Sequence, residues 1–459
     1  MSNVLGDRAI VIGGSIAGLM TARVLSDFFN QVTVLERDQI EDRPAIHKSI
    51  PQGNHLHALF LGGQQVLSLL YPNFTEKLES LGAVRLRGGK DMAILLADCK
   101  AYNFTGFTGS VREPRDLGFD FHSQSRGLLE HCARQCTRAF QNITLRSECF
   151  VQGLIWQNQR VEGVRFTHHE DSDALPADLI VDAGGRGSRV PRWLAELDFP
   201  VPTETTIGVD FAYSSAKYRI PGYNGEPERF LAFFGPIPDC PNGAGLAQIE
   251  NETWLVSLFG RFGEYPPTDE EGFLAFTKSL HTQRLYEIIQ DAERISDIVQ
   301  HRFPTSVQRH YERLVAFPER LLVLGDAISS FNPVYGQGMS SAALQVKALQ
   351  ELLTERAEDS RGLEGLAPVF FAKAAEVIAT PWALAAASDF AYPKTTGDRP
   401  ADMVESARYF ASLDSLVGED IQVHRLVSDV FNLAKPLSVL YEEPLRSRVL
   451  TRQGELENA

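Results

Sequence analysis

The chain is poor in the residues that would tie it to a metal, to nucleic acid or to a bilayer. Its five cysteines, Cys99, Cys132, Cys136, Cys149 and Cys240, are odd in number and lack the paired spacing of a zinc site, so buried free thiols and no metal centre are expected. Basic residues are outnumbered, 44 Lys and Arg against 59 Asp and Glu, giving a net charge of −15. That balance argues against nucleic acid and against tight binding to anionic lipid, both of which need a basic surface. No uninterrupted apolar run reaches the roughly 20 residues that span a bilayer. Met1 to Asp7 is short and polar rather than leader-like, so a cytoplasmic location is expected. Internal repeats and low-complexity linkers are also missing.

What remains is ample for folding, with 459 residues and 44% apolar content, enough for layers of structure sharing substantial cores. Near the start, Val11-Ile-Gly-Gly-Ser-Ile-Ala-Gly-Leu19 follows an apolar run, Arg8 to Ile12, suited to a buried strand. Ser15 to Phe28 then places Ile16, Leu19, Met20, Val24 and Leu25 on one helical face. The turn from Gly13 through Gly14, Ser15, Ile16 and Ala17 to Gly18 would let backbone N–H groups and the positive end of the helix meet a pyrophosphate. It departs from G-x-G-x-x-G, because the middle glycine is Ser15, a residue small enough to keep the approach close. A second strand, Gln31 to Leu35, ends in Glu36, placed to accept hydrogen bonds from an adenosine ribose, with Arg37 beside it. The bland reading is an apolar βαβ unit without a nucleotide.

A late segment distinguishes FAD from NAD. Arg320 to Leu324 reads as a buried strand with Asp326 at its carboxyl end, where an aspartate can accept from a ribityl hydroxyl, a group NAD lacks. Pro333, Gly336, Gln337 and Gly338 follow, and then a helix from Met339 to Leu353 whose start would point free N–H groups at the flavin pyrimidine edge. Pro333, Gly336 and Gln337 would thereby shape the oxygen-activating pocket. A capped core helix after a glycine turn is the competing reading.

With these motifs the chain resembles the flavoprotein monooxygenases of the para-hydroxybenzoate hydroxylase type. Pro51-Gln-Gly-Asn-His-Leu-His57, Asp182-Ala-Gly-Gly-Arg-Gly-Ser-Arg189 and Phe331-Asn-Pro-Val-Tyr-Gly-Gln-Gly-Met339 resemble the bacterial subgroup of polyether-pathway epoxidases, of monensin and lasalocid biosynthesis, related to squalene epoxidase. The resemblance runs from about residue 7 to about 350. It implies FAD, NADPH or NADH as donor either directly or through a partner flavin reductase, and a small hydrophobic substrate oxygenated with O2 through a flavin C4a-hydroperoxide. Epoxidation of a polyene is the expected reaction. Aromatic hydroxylation, isoprenoid reduction, halogenation and non-enzymatic flavin or lipid binding are the other readings. Halogenases of this scaffold carry Trp-x-Trp, whereas Trp156, Trp193, Trp254 and Trp382 are never two apart. One departure concerns the donor, since Gly184 and Gly185 stand where the aromatic hydroxylases carry an Asp-Gly pair.

The resemblance also implies the fold, α/β in class and α+β overall. A glutathione-reductase-like Rossmann FAD domain (1–80, 122–190 and 308–355) is expected to interleave with an antiparallel substrate sheet (81–121 and 191–307), followed by a helical C-terminal region (356–459). Local pattern predicts a helix over 53–70, strands over 142–148, 151–157 and 160–167 forming one meander, and helices over 273–298, 362–390 broken at Pro381, and 423–440 broken at Pro436. Strands over 229–234, 244–249 and 253–259 would build the substrate sheet, which 83–121 begins. Arg126, opening a helix over 127–140, would meet FAD phosphate or ribityl oxygens, since its planar fork suits a phosphate. His55 and His57, two apart, are candidates to face flavin or substrate. Phe211, Tyr213 and Phe233 are the candidate substrate contacts on the sheet.

Overall fold

A computed structural model describes residues 4–48, 50–96, 99–102, 110–225, 228–359 and 361–458. Parts of the expected sheet segment 83–121, namely 97–98 and 103–109, lie outside the described residues. Five short strands form a parallel sheet in the order Leu321–Val323, Leu179–Asp182, Gly6–Ile12, Phe29–Leu35, Ile143–Arg146. Helices and the antiparallel strands Cys149–Gln157 and Arg160–His168 pack against this sheet, which buries the aliphatic runs over 9–11 and 179–181. Helix Ile16–Leu25 and helix Gly338–Glu358 pack on this sheet, and Leu19, Met20, Val24, Val181, Leu322, Val346 and Leu349 are all at most 1% exposed.

The second large element is a nine-stranded, mostly antiparallel sheet built around the long strand Glu204–Arg219, which pairs with Val299–Arg309 on one side and Thr253–Arg261 on the other. Phe230–Phe234 continues it and pairs in parallel with Met92–Leu96. One face of this sheet, bearing Leu231, Phe233, Leu246, Trp254 and Val256, is covered by Phe273 and Leu285 and by the C-terminal helices Met403–Glu419, Ile421–Phe431 and Leu445–Glu457. The opposite face carries Phe211, Tyr213, Phe259 and Phe303, packed against Ala386 and Phe390. The C-terminal region is therefore not a separate body: Leu366–Asp389 adds Phe370, Phe371 and Ile378 to the core of the parallel sheet, and the later helices join the core of the antiparallel one.

Several local expectations are corrected. The 53–70 segment is helical only over Leu61–Leu70, preceded by a 3-10 turn Pro51–Asn54 and an extended run that carries His55 and His57. The first strand of the supposed meander, Ile143–Arg146, belongs to the parallel sheet; the meander is Cys149–Gln157, Arg160–His168 and the polar strand Asp171–Pro176. The 273–298 helix is two helices, Glu270–Ser279 and Arg284–Ile289, then a short strand, Glu293–Arg294, that pairs with Arg219 and Tyr218. Leu366–Asp389 runs straight through Pro381, whose missing N–H removes one helical bond without ending the helix. The 423–440 helix ends at Phe431, with a 3-10 turn Leu437–Tyr441 after it. Among the described residues, Leu366–Asp389 is the one helix long and apolar enough to cross a membrane by length and composition alone. Its apolar side is packed into the parallel-sheet core, and Lys373 and Glu376 interrupt the run.

Candidate functional site

The turn between strand Gly6–Ile12 and helix Ile16–Leu25 opens onto a cavity of about 490 Å³ lined by Gly13, Ser15, Ile16, Ala17, Glu36, Arg37, Arg126, Asp326, Pro333, Gly336, Gln337, Gly338 and Met339. Gly14 and Gly18 stand behind this wall rather than in it. A Cβ on Gly18 would lie 1.8 Å from the Gly13 carbonyl oxygen, and Gly13 itself has φ +102°, so the turn cannot close over side chains there. The Gly14 N–H donates to Glu36 at 2.6 Å.

Ser15 does more than keep the approach close. Its hydroxyl donates to Glu130 and accepts from Arg126 at 2.9 Å, while Arg126 Nε donates to Glu130 at 2.8 Å. Glu130 is 1% exposed. Burial alone would raise its pKa, yet the Arg126 and His47 charges beside it hold the carboxyl below its usual value. Arg126 is thus braced at the cavity wall by an anion at its back, a partner the sequence had not revealed. On the adenosine side, Glu36 accepts from the backbone N–H groups of Gly14 and Asp38. Ligand atoms of Glu36, Asp38 and His47 lie within 4.8 Å of one another, but Glu36 is already engaged by two N–H donors.

At the other end, Asp326 follows strand Leu321–Val323 and faces the start of helix Gly338–Glu358, with Gly338 close enough that a Cβ there would sit 3.6 Å from its carboxylate. Burial pushes the Asp326 carboxyl up, and Arg126 and Arg186 oppose that shift. The side-chain oxygen of Gln337 is buried without a hydrogen-bond partner. An unfilled acceptor here, a buried acid and the free N–H groups of a 21-residue helix are what a polar heterocycle with N–H and hydroxyl groups requires. The residues therefore fit FAD.

The segment with Gly184 and Gly185 is explained by its neighbour. Asp182 curls its carboxylate back to accept the Gly184 N–H at 2.9 Å and the Ser188 hydroxyl. A Cβ at Gly184 would lie 2.8 Å from that carboxylate, so a second acid cannot be accommodated without displacing the first. A carboxylate thus stands two residues before position 184, turned back onto its own turn.

A second, apolar cavity of about 190 Å³ adjoins the first, lined by Phe60, Ile94, Phe211, Tyr213, Phe230, Ala232, Phe234 and Phe259, with Leu384, Ser388, Phe431 and Asn432 from the C-terminal region. The two cavities share Leu56, His57, Ala58, Tyr213, Pro333, Gly336 and Gln337. Of the expected substrate contacts, Phe211 and Tyr213 line it but Phe233 does not. In Phe230–Phe234 the odd positions Leu231 and Phe233 point into the core under the C-terminal helices, and Phe230, Ala232 and Phe234 face the cavity.

His55 and His57 both border the apolar cavity, on the extended run that precedes helix Leu61–Leu70. Burial lowers the His55 pKa to about 2, with the nearby His57 and His301 adding to the shift. Burial and the Arg126 charge lower His57 to about 4. Both rings are neutral at physiological pH. His57 Nδ1 donates to the His55 carbonyl at 2.9 Å, which leaves an acceptor lone pair on its Nε2.

Behind the Pro333 turn lies a buried charge cluster that no local sequence signal marks. Asp389 Oδ1 accepts from Arg261 (2.7 Å), Asn332 (2.8 Å) and Tyr335 (2.7 Å). The Arg261 guanidinium lies over the rings of Phe211 and Tyr392, at 5.3 and 4.6 Å.

Protein Rv3254 of Mycobacterium tuberculosis is 32% identical to this chain over 399 residues, 85% of the chain and 82% of the relative. The chain belongs to the Rv3254 family. Squalene epoxidase 2, mitochondrial, of Arabidopsis thaliana is 24% identical over 360 residues, covering 76% of the chain and 54% of that protein. No protein-family model matches the chain. Among solved structures, p-nitrophenol 4-monooxygenase PnpA from Pseudomonas putida superposes with a TM-score of 0.63 at 17% identity, over 94% of this chain and 99% of that one. A flavin-dependent brominase superposes with a TM-score of 0.67 at 12% identity, over 99% and 98%. The chain shares the fold of these two proteins, the mixed α/β architecture that the motifs had suggested.

Proposed function

We propose that this chain is an FAD-dependent monooxygenase that adds one atom of O2 to a small hydrophobic molecule, and that its reaction is epoxidation of an alkene. The observation that carries the reading is the junction of the two cavities: a polar one built from dinucleotide-binding turns opens, through Leu56, His57, Ala58, Tyr213, Pro333, Gly336 and Gln337, into an apolar one. Arg126 and the Gly13 turn would hold the pyrophosphate, Glu36 the adenosine ribose and Asp326 the ribityl chain, and Gln337 with the helix start at Gly338 would hold the pyrimidine edge. Bound FAD, once reduced, supplies the activation of dioxygen. The protein's part is to hold an alkene beside the shared wall and to exclude water, which the ring of aromatic side chains does. The similarity to a squalene epoxidase supports an alkene substrate.

Direct reduction by NADPH or NADH is part of the proposal, with a separate flavin reductase as the alternative. The test begins anaerobically: FAD-loaded protein is mixed with each donor and the oxidised flavin absorbance followed. The reduced protein is then exposed to 18O2 with polyenes and, separately, phenols. A labelled epoxide supports the reading. Turnover of a phenol with no product from any polyene would replace it with aromatic hydroxylation.

A further inference from the structure

A polar relay crosses the wall of the apolar cavity, and its direction can be worked out from the donors and acceptors it contains. The Leu56 N–H can only donate, and it does so to Ser257 Oγ at 3.1 Å. Ser257 Oγ lies 2.5 Å from Ser215 Oγ, which in turn lies 2.7 Å from His55 Nδ1. Each hydroxyl has one hydrogen to give. If Ser257 donates to Ser215 and Ser215 to His55, both hydroxyl hydrogens are used and the Nε2 hydrogen of His55 is the one group left unmet. Run the other way, the Ser257 hydrogen has no acceptor among the described residues, in a site where Ser257 is 7% and Ser215 2% exposed. That direction also leaves the His55 Nε2 lone pair unfilled, two unmet groups against one, so the first direction holds.

Nδ1 of His55 is then an acceptor, and the proton of this neutral ring sits on Nε2. Nε2 is buried and has no partner, and the ring, 2% exposed and in T-shaped contact with Tyr213 at 3.9 Å, lines the apolar cavity. Among the described residues that line this cavity, the only other buried side-chain atom without a partner is the Gln337 oxygen, an acceptor at the flavin-side junction. His55 is therefore a buried donor without a partner in the wall of a largely apolar chamber.

We propose that His55 Nε2–H is a specificity-determining donor, and that the substrate is a largely hydrocarbon molecule bearing one acceptor oxygen, such as a carbonyl, hydroxyl or ether. This deepens the monooxygenase reading and rests on it. A pure hydrocarbon would leave the donor buried and unpaired; an oxygenated analogue of the same shape would satisfy it. Because the ring is neutral, it selects a dipole rather than a carboxylate, and an anionic substrate gains no ion pair here.

The experiment uses FAD-loaded protein and a matched pair of ten-carbon ligands, the aldehyde citral and the hydrocarbon myrcene, with binding read from the perturbed flavin spectrum. Wild type is expected to hold citral about tenfold more tightly, the discrimination of one buried hydrogen bond. His55→Phe should abolish that preference by weakening citral far more than myrcene, and His55→Gln, which keeps an N–H donor, should restore part of it. Independently, 15N NMR of histidine-labelled protein should show the His55 proton on Nε2. Equal affinity of wild type for the two ligands, loss of both ligands in His55→Phe, or a proton on Nδ1 would overturn the proposal. Failure of the protein to retain FAD at all would instead sink the monooxygenase reading, and flavin absorbance after gel filtration reports that separately.

Discussion

Replacing Asp389 by leucine should cost far more than replacing it together with its partner. Asp389 is 0% and Arg261 3% exposed, and the carboxylate is the acceptor for Arg261, Asn332 and Tyr335 at once. Removing the acid alone strands a guanidinium in the interior, a loss of about 3–5 kcal/mol. The double variant Arg261→Met with Asp389→Leu removes both charges and substitutes apolar side chains, which is often neutral or mildly favourable for such pairs. At ~2.1 cal/mol/K per residue the unfolding entropy of a chain this long is roughly 1 kcal/mol per kelvin, so the single variant should lower Tm by about 3–5 °C. The double variant should lie within about 2 °C of wild type. Differential scanning fluorimetry of the two variants measures this, and flavin retention should fall with the single change because Asn332 and Tyr335 flank Pro333. If single and double variants melt together well below wild type, the loss comes from packing or from the Asn332 and Tyr335 bonds rather than from a stranded charge, and the argument fails.

Other outcomes follow from the geometry. Gly18→Ala forces a Cβ to 1.8 Å from the Gly13 carbonyl, so the purified protein should lack flavin absorbance, while Gly454→Ala, which has open space around it and lines neither cavity, should stay yellow. Phe233→Ala should cost about 3–5 kcal/mol of stability and leave ligand binding intact, whereas Ala232→Leu should block the cavity; the reverse pattern, read by urea unfolding and ligand titration, would undo the assignment of faces. The buried histidines should make the fold acid-labile. His55 has its pKa lowered to about 2, and His57 and His424 to about 4, so below pH 6.5 the unfolded chain takes up protons that the folded chain refuses. Stability is full above pH 6.5 and falls as pH drops toward 4, by about 1.4 kcal/mol per pH unit for each such group. His424 is fully buried with neither ring nitrogen bonded, and His424→Leu should make the slope shallower by one proton's worth across pH 6 to 4.5; an unchanged slope would refute its part.

The wall of the polar cavity was legible because a glycine turn between a strand and a helix is made from contiguous residues. Gly13 to Gly18, Glu36 and Asp326 are set by local backbone geometry at strand ends, and the sequence carries that geometry directly. The apolar half was legible only in part. Alternation along Phe230–Phe234 says that Phe233 shares a side with Leu231, not which side meets the cavity, since both faces of this strand are buried. The Ser215–His55 and Asp389–Arg261 contacts join residues 160 and 128 positions apart, and no periodicity encodes such meetings. Strand Asp171–Pro176 was missed for a different reason. It is polar and poor in strand-forming residues, and it exists because hairpin pairing to Arg160–His168 satisfies its backbone.

The order in which the two cavities are walled along the chain has a consequence for biosynthesis. Among the described residues, everything that lines the polar cavity lies between Ile12 and Ala342, while the apolar cavity draws on Leu384, Ser388, Phe431 and Asn432. A nascent chain emerges from the ribosome from its N-terminus, so the residues that line the polar cavity are made before the far wall of the apolar chamber is translated. The apolar chamber is thus finished last, against a polar half whose residues are already available.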